Sequence, residues 1–151
     1  MAKYCQRQFK VGWNEVGGKQ HYFRSGLEVR WARYLQILKE LGEIEEWLYE
    51  PKTFWFEKIK RGTNSYKPDF KIISSFLRTC YENQYSWHEV KGFLQQKDCT
   101  KFRRMQKYYP GENMILVIQR ITKKNKLLVD RCRKYVAGVI EAEKLLRKNG
   151  M

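Results

Sequence analysis

Two short apolar segments hold the residues of this chain best suited to chemistry. They are YKPDF at 66–70 and SWHEVKGF at 86–93. Asp69 is followed twenty residues later by Glu89, with Lys91 two positions beyond. Side chains alternate along a β-strand, so Glu89 and Lys91 share one face about 7 Å apart, and His88 and Val90 point the other way. If Asp69 lies on the paired strand, two carboxylates and a lysine meet at one place. Two carboxylates with a backbone carbonyl form a hard oxygen site, which Mg²⁺ accepts while keeping several waters. A metal there lowers the pKa of a bound water and stabilises the phosphate transition state, and a lysine beside it can orient the water or neutralise phosphate charge. That set suits phosphodiester hydrolysis. The same residues can also form a solvated salt bridge, Glu89 with Lys91 or with Lys67.

The flanking sequence predicts the elements that would position them. RSGLEVRWARYLQILKELGEI reads as a helix over 26–41, capped by Ser25 and stopped at Gly42. Leu27, Trp31, Tyr34, Leu35, Leu38 and Leu41 recur at helical spacing and face a sheet. Gly17-Gly18 marks a turn, followed by a short strand at 20–23. EEWLYEP and TFWFEKI read as extended segments around Pro51, and their aromatic residues as core. Pro68 places the next segment at a strand start or an edge. With SWHEVKGF it forms an antiparallel pair joined by a long loop. Residues 97–109 read as a second helix ended by Pro110-Gly111. NMILVIQ at 113–119 reads as a buried central strand. The chain then reads as one helix over 129–148, with Val129, Cys132, Val136, Val139, Ile140 and Leu146 as its apolar face. The order predicts an α/β domain with a mixed central sheet flanked by helices. Residues 1–24 form a basic N-terminal segment and 25–151 a single domain.

The surface is strongly basic. Thirty-one Lys and Arg oppose 16 Asp and Glu, giving a formal charge of +15, which attracts polyanions and nucleic acid above all. Lys97, Lys101, Arg103, Arg104 and Lys107 of the second helix, with Lys67, are candidate phosphate contacts; a solvated helix face is the alternative. The basic residues form no amphipathic membrane-binding helix, and no window approaches a membrane span. The N-terminus lacks the apolar core of a signal peptide, so a cytoplasmic protein is expected. Cys5, Cys80, Cys99 and Cys132 show neither CxxC nor zinc spacing and are expected to be reduced thiols.

Pro68-Asp69 followed by Glu89-Val90-Lys91 resembles the motif of the PD-(D/E)xK nuclease superfamily. Upstream, RSGLEVRWARYL resembles the first helix of that superfamily, with Glu28 at its acidic position. SGLE, YEP, YKPDF, EVKG and a basic helix, in that order, resemble phage endonuclease I-type Holliday-junction resolvases and related small phage nucleases over about residues 22–120. The resemblance implies a restriction-endonuclease-like fold and Mg²⁺-dependent cleavage of DNA, with Mn²⁺ as a substitute. It implies Asp69, Glu89 and the Val90 carbonyl as metal ligands, Lys91 beside the attacking water, and Glu28 near a second metal or its waters. Ser25-x-x-Glu28 is also a capping box, which gives Glu28 a purely local role. Branched DNA and a homodimer, hosted in a phage-infected cell, follow from the resemblance alone. The alternatives are a nicking or restriction-type nuclease on linear duplex, and a non-catalytic DNA-binding protein.

Overall fold

The computed structural model describes residues 10–75 and 84–151. Strands β1 (Gly12–Val16) and β2 (Lys19–Phe23) pair as an antiparallel hairpin. Its turn, Gly17-Gly18, has φ of 62° and 74°, which a two-residue hairpin turn needs and glycine adopts without strain. Val16 and Phe23 are buried in the same core as the helix that follows. The described part of the basic N-terminal segment therefore belongs to the domain.

Helix α1 (Gly26–Glu40) starts where Ser25, in extended conformation, accepts the Glu28 N–H. It stops before Gly42, whose φ is 75°. Leu27, Trp31 and Leu35 are buried, and Tyr34 and Leu38 pack beside them. Leu41 is exposed because it follows the last helical turn.

The main sheet contains β3 (Glu46–Tyr49), β6 (Phe70–Ile73), β7 (Tyr85–Lys91), β8 (Met114–Ile118) and β9 (Gly138–Glu141), in that order across the sheet. Strand β3 is antiparallel to β6, and β6 to β7; β7, β8 and β9 are mutually parallel. A separate ribbon pairs β4 (Phe54–Trp55) with β5 (Ser65–Tyr66). Helix α2 (Gln96–Tyr108) joins β7 to β8, α3 (Lys126–Arg133) joins β8 to β9, and α4 (Ala142–Lys148) closes the chain. The mixed sheet with flanking helices is the expected α/β class. Pro68 does precede a strand, but an interior one.

Alternation along the strands divides the core in two. Phe70, Ile72, Val90, Ile115 and Val117 face α1, α4 and the hairpin. Trp87, Met114, Leu116 and Ile118 face α2, α3 and the β4–β5 ribbon. Of the aromatic residues at 47–56, Trp47, Phe54 and Phe56 are buried as expected, whereas Trp55 is exposed.

Two expectations are corrected. The helix over 129–148 is instead helix, strand and helix. Val129 and Cys132 belong to the α2-side core and Leu146 to the α1-side core, and one straight helix cannot reach both faces. The β-branched Val139 and Ile140 instead extend the sheet beside β8. Cys99 and Cys132 are not free thiols: they form a disulfide that ties α2 to α3. Cys5 and Cys80 lie outside the described residues. Among the described residues, no helix is long and apolar enough to cross a membrane.

Candidate active site

The register of β6 against β7 brings the carboxylates together. Phe70 opposes His88, so Asp69, one residue before β6, comes opposite Glu89. Glu89 and Lys91 project with Trp87 towards α2, while Val90 enters the α1-side core. Asp69, Glu89, Lys91 and the Val90 backbone thus meet where β6 begins and β7 ends.

Each group is held. Trp87 N–H bonds to the Asn113 carbonyl, and the Lys91 carbonyl accepts the Gln119 N–H. Odd positions of β7 therefore bond towards β8, and Val90 turns its N–H and carbonyl towards β6. Strand β6 starts too late to meet them, and Asp69 Oδ2 takes the Val90 N–H at 2.7 Å. Glu89, only 3% exposed, accepts the Tyr66 hydroxyl on Oε2 at 2.8 Å. Its Oε1 lies 2.9 Å from Lys91 Nζ.

The electrostatics follow from burial and crowding. Burial, then the Glu89 charge, raises the Asp69 pKa well above the usual carboxylate range; Glu28 adds to this, and the Val90 N–H opposes it. For Lys91, burial acts to lower the pKa. The Glu89 charge and hydrogen bond, with Asp98 and Asp69, outweigh it, so the pKa rises and the side chain is an ammonium. Burial, then Glu89 and Asp69, raises the Tyr66 pKa, so Tyr66 is a neutral donor.

Glu28 sits at the start of α1 with both oxygens engaged. Oε1 accepts the Ser25 hydroxyl at 2.9 Å; Oε2 accepts the Tyr49 hydroxyl at 2.8 Å and the Arg24 N–H at 3.1 Å. Half of the capping box forms: Ser25 takes the Glu28 N–H, while the Glu28 carboxylate returns to the Ser25 hydroxyl and the Arg24 N–H rather than to the Ser25 N–H, and its charge still reaches Asp69. His88 lies on the opposite face. Its Nδ1 accepts the Trp31 indole N–H at 3.2 Å, and burial lowers its pKa to about 3. It is a packed, neutral histidine.

No family model, curated protein or solved structure matches the chain. The residues themselves carry the reading of this site.

Among the described residues, no three His, Cys, Asp or Glu side chains gather as metal ligands. The donor set is the pair Asp69 and Glu89, with the Val90 carbonyl turned to the same side. Mg²⁺ commonly takes only one or two carboxylates and completes its shell with water. Burial, and then repulsion from Glu89, raise Asp69, and a cation between the two carboxylates would offset both, so the residues fit a Mg²⁺ ion. Lys91 holds the Glu89 oxygen such an ion would need.

The candidate phosphate contacts do not form one surface. Lys67 pairs with Glu50 at 3.0 Å. Arg104 donates to the Thr63 carbonyl, anchoring α2 to the loop before β5. Lys101 lies over the Tyr66 ring and 4.0 Å from Asp98, and Lys107 lies over Tyr108. Lys97 is exposed, and Arg103 faces α3.

Three residues beyond those singled out from the sequence shape the site. Tyr66 fixes Glu89. Glu50, at φ 45°, donates its N–H to the Asp69 carbonyl and clasps Arg24 and Lys67. Asp98 is 2% exposed, caps α2 by accepting the Gln95 N–H on Oδ2, and turns Oδ1 towards Lys91 at 3.6 Å. Asp98 had a signal: it is the one acid in α2, among five bases.

Proposed function

We propose that this protein is a Mg²⁺-dependent endodeoxyribonuclease that hydrolyses phosphodiester bonds in branched DNA, with Mn²⁺ able to replace Mg²⁺. The observation that carries this is the opposition of Asp69 and Glu89 across β6 and β7, with Lys91 Nζ 2.9 Å from Glu89. Asp69, Glu89 and the Val90 carbonyl would hold the ion, and Glu28 would bias the site through its charge. A bound Mg²⁺ supplies a water of lowered pKa and neutralises phosphate charge.

The chain's own residues do the rest. The Val90 N–H and the Tyr66 hydroxyl hold one oxygen of each carboxylate, so the donors are aimed before substrate arrives. Lys91, as an ammonium, meets the charge that grows on the phosphate oxygens. The +15 surface delivers the DNA backbone. Symmetric nicks across a junction need two sites, so the reading includes a homodimer.

The test is cleavage of a labelled four-way junction and a matched linear duplex, with Mg²⁺ or chelator, by wild type and Lys91→Ala. Metal-dependent cutting of the junction alone, lost in Lys91→Ala while binding persists, is expected. Equal cutting of both substrates moves the function to a nicking or restriction-type nuclease. Salt-sensitive binding with no cutting of either leaves a DNA-binding protein and overturns the enzymatic reading.

A further inference from the structure

Helix α2 has a second working side. Asp98 and Lys101 turn towards the carboxylate cluster; Gln96, Cys99, Thr100 and Arg103 lie on the opposite side. There, with Arg131, Lys134 and Tyr135 from α3 and the turn after it, they line an open cavity of about 310 Å³. Three of the seven lining residues are cations, and Thr100, Tyr135 and Gln96 can each donate a hydrogen bond. No acid lines it.

The cations are not there for internal pairing. Among the described residues, none of Arg103, Arg131 and Lys134 is in an ion pair, and the neighbouring Asp130 is taken by Arg133 at 3.5 Å. The helix dipole favours cations in the last turn of α3, which accounts for Arg131 but not for Arg103 on the facing helix. The walls are also fixed in spacing. The Cys99–Cys132 disulfide joins the two helices at the cavity, and Gln106 Nε2 donates to the Lys134 carbonyl at 3.2 Å. Converging unpaired cations on a braced frame suit a tetrahedral oxyanion, with Arg donating through its planar fork.

We infer that the α2–α3 cleft is a phosphate-binding subsite that takes the DNA backbone beside the carboxylate cluster. Only the source of the phosphate rests on the nuclease reading. The cleft and the cluster are separated by one helix, about 10 Å across.

Two measurements on the intact chain test this, using Arg131→Ala/Lys134→Ala. A control, Lys144→Ala/Lys148→Ala, removes the same charge from exposed positions of α4. The first is titration with inorganic phosphate, followed by NMR at the Arg103 side chain and the backbone of residues 96–103 and 131–135. Saturable shifts are expected in wild type and control and are absent from the cleft variant. The second is binding of a labelled duplex across a salt series. The cleft variant is expected to lose about one to two units of log–log salt slope and on the order of tenfold in affinity, with a smaller change in the control.

Equal losses in both variants would overturn the DNA subsite and leave only general charge. Phosphate shifts without a specific slope change would also overturn it, in favour of a small phosphorylated ligand. No phosphate shifts at all would sink the cleft as an anion site. Failure of the nuclease reading shows separately, as the absence of metal-dependent cutting by wild type.

Discussion

Asp98 Oδ1, buried and without a hydrogen-bond donor, lies 3.6 Å from Lys91 Nζ. The ammonium stands between this oxygen and Glu89 Oε1 at 2.9 Å. Any cation that claims Glu89 displaces Lys91, and Asp98 is positioned to receive it. Asp98→Asn retains an oxygen to cap α2 but removes the charge. It is expected to lower kcat for DNA cleavage by about 10–100-fold, as loss of an outer partner does in metal sites. KM and the melting temperature should change little. Equal activity in wild type and Asp98→Asn would show that Asp98 serves α2 alone.

Asp69 opposes folding at neutral pH. Burial, then Glu89, raises its pKa above the unfolded value of 3.8. The folded chain therefore holds a proton that the unfolded chain releases, and stability falls as pH rises above that value. Asp69→Asn has no charge to bury. Its melting temperature should exceed that of wild type at pH 8, the gap should close towards pH 4, and cleavage should be abolished. Thermal melts across that range check the sign.

His88 acts in the opposite direction. Burial lowers its pKa from 6.5 to about 3, so the unfolded chain binds the proton first. The stability it contributes is present above pH 6.5 and is lost as pH falls towards 3, by on the order of 4–5 kcal/mol across the window. His88→Asn retains an acceptor for the Trp31 indole but does not titrate there. Denaturant midpoints between pH 7 and 4 should fall less steeply in this variant; parallel slopes would place the acid sensitivity elsewhere.

The Cys99–Cys132 bond closes a loop with a sequence separation of 33, which stabilises the fold by about 3–4 kcal/mol through the unfolded chain. Reduction, or Cys132→Ala, should lower the melting temperature by roughly 10 °C.

The parts of the fold visible in the sequence were those set by local rules. Ser25 and Gly42 bound α1 because caps and left-handed stops are local chemistry. The alternation of β7 put Glu89 and Lys91 on one face and His88 on the other. The break within residues 129–148 leaves no local trace, because Val129, Cys132 and Leu146 fit one helical stripe and only tertiary contacts show that they serve two cores. The disulfide escaped for the same reason: its cysteines lie on different helices, so spacing carries no trace of their meeting. Tyr66 and Glu50 were invisible as site residues, since their roles depend on where the β4–β5 ribbon and the end of β3 come to rest.

The passage of the chain through β9 also bears on the order of folding. The antiparallel strands β3, β6 and β7 can associate once about 90 residues have been made. The α1-side core, however, lacks Ala142 and Leu146 until the last turns of chain arrive, and β8 has an open edge until β9 docks. Contacts this distant in sequence form late and slowly. A fragment ending at residue 137 should keep helical and sheet signals in the far ultraviolet yet melt without a cooperative transition. During synthesis, the exposed edge of β8 would be the segment most in need of a chaperone.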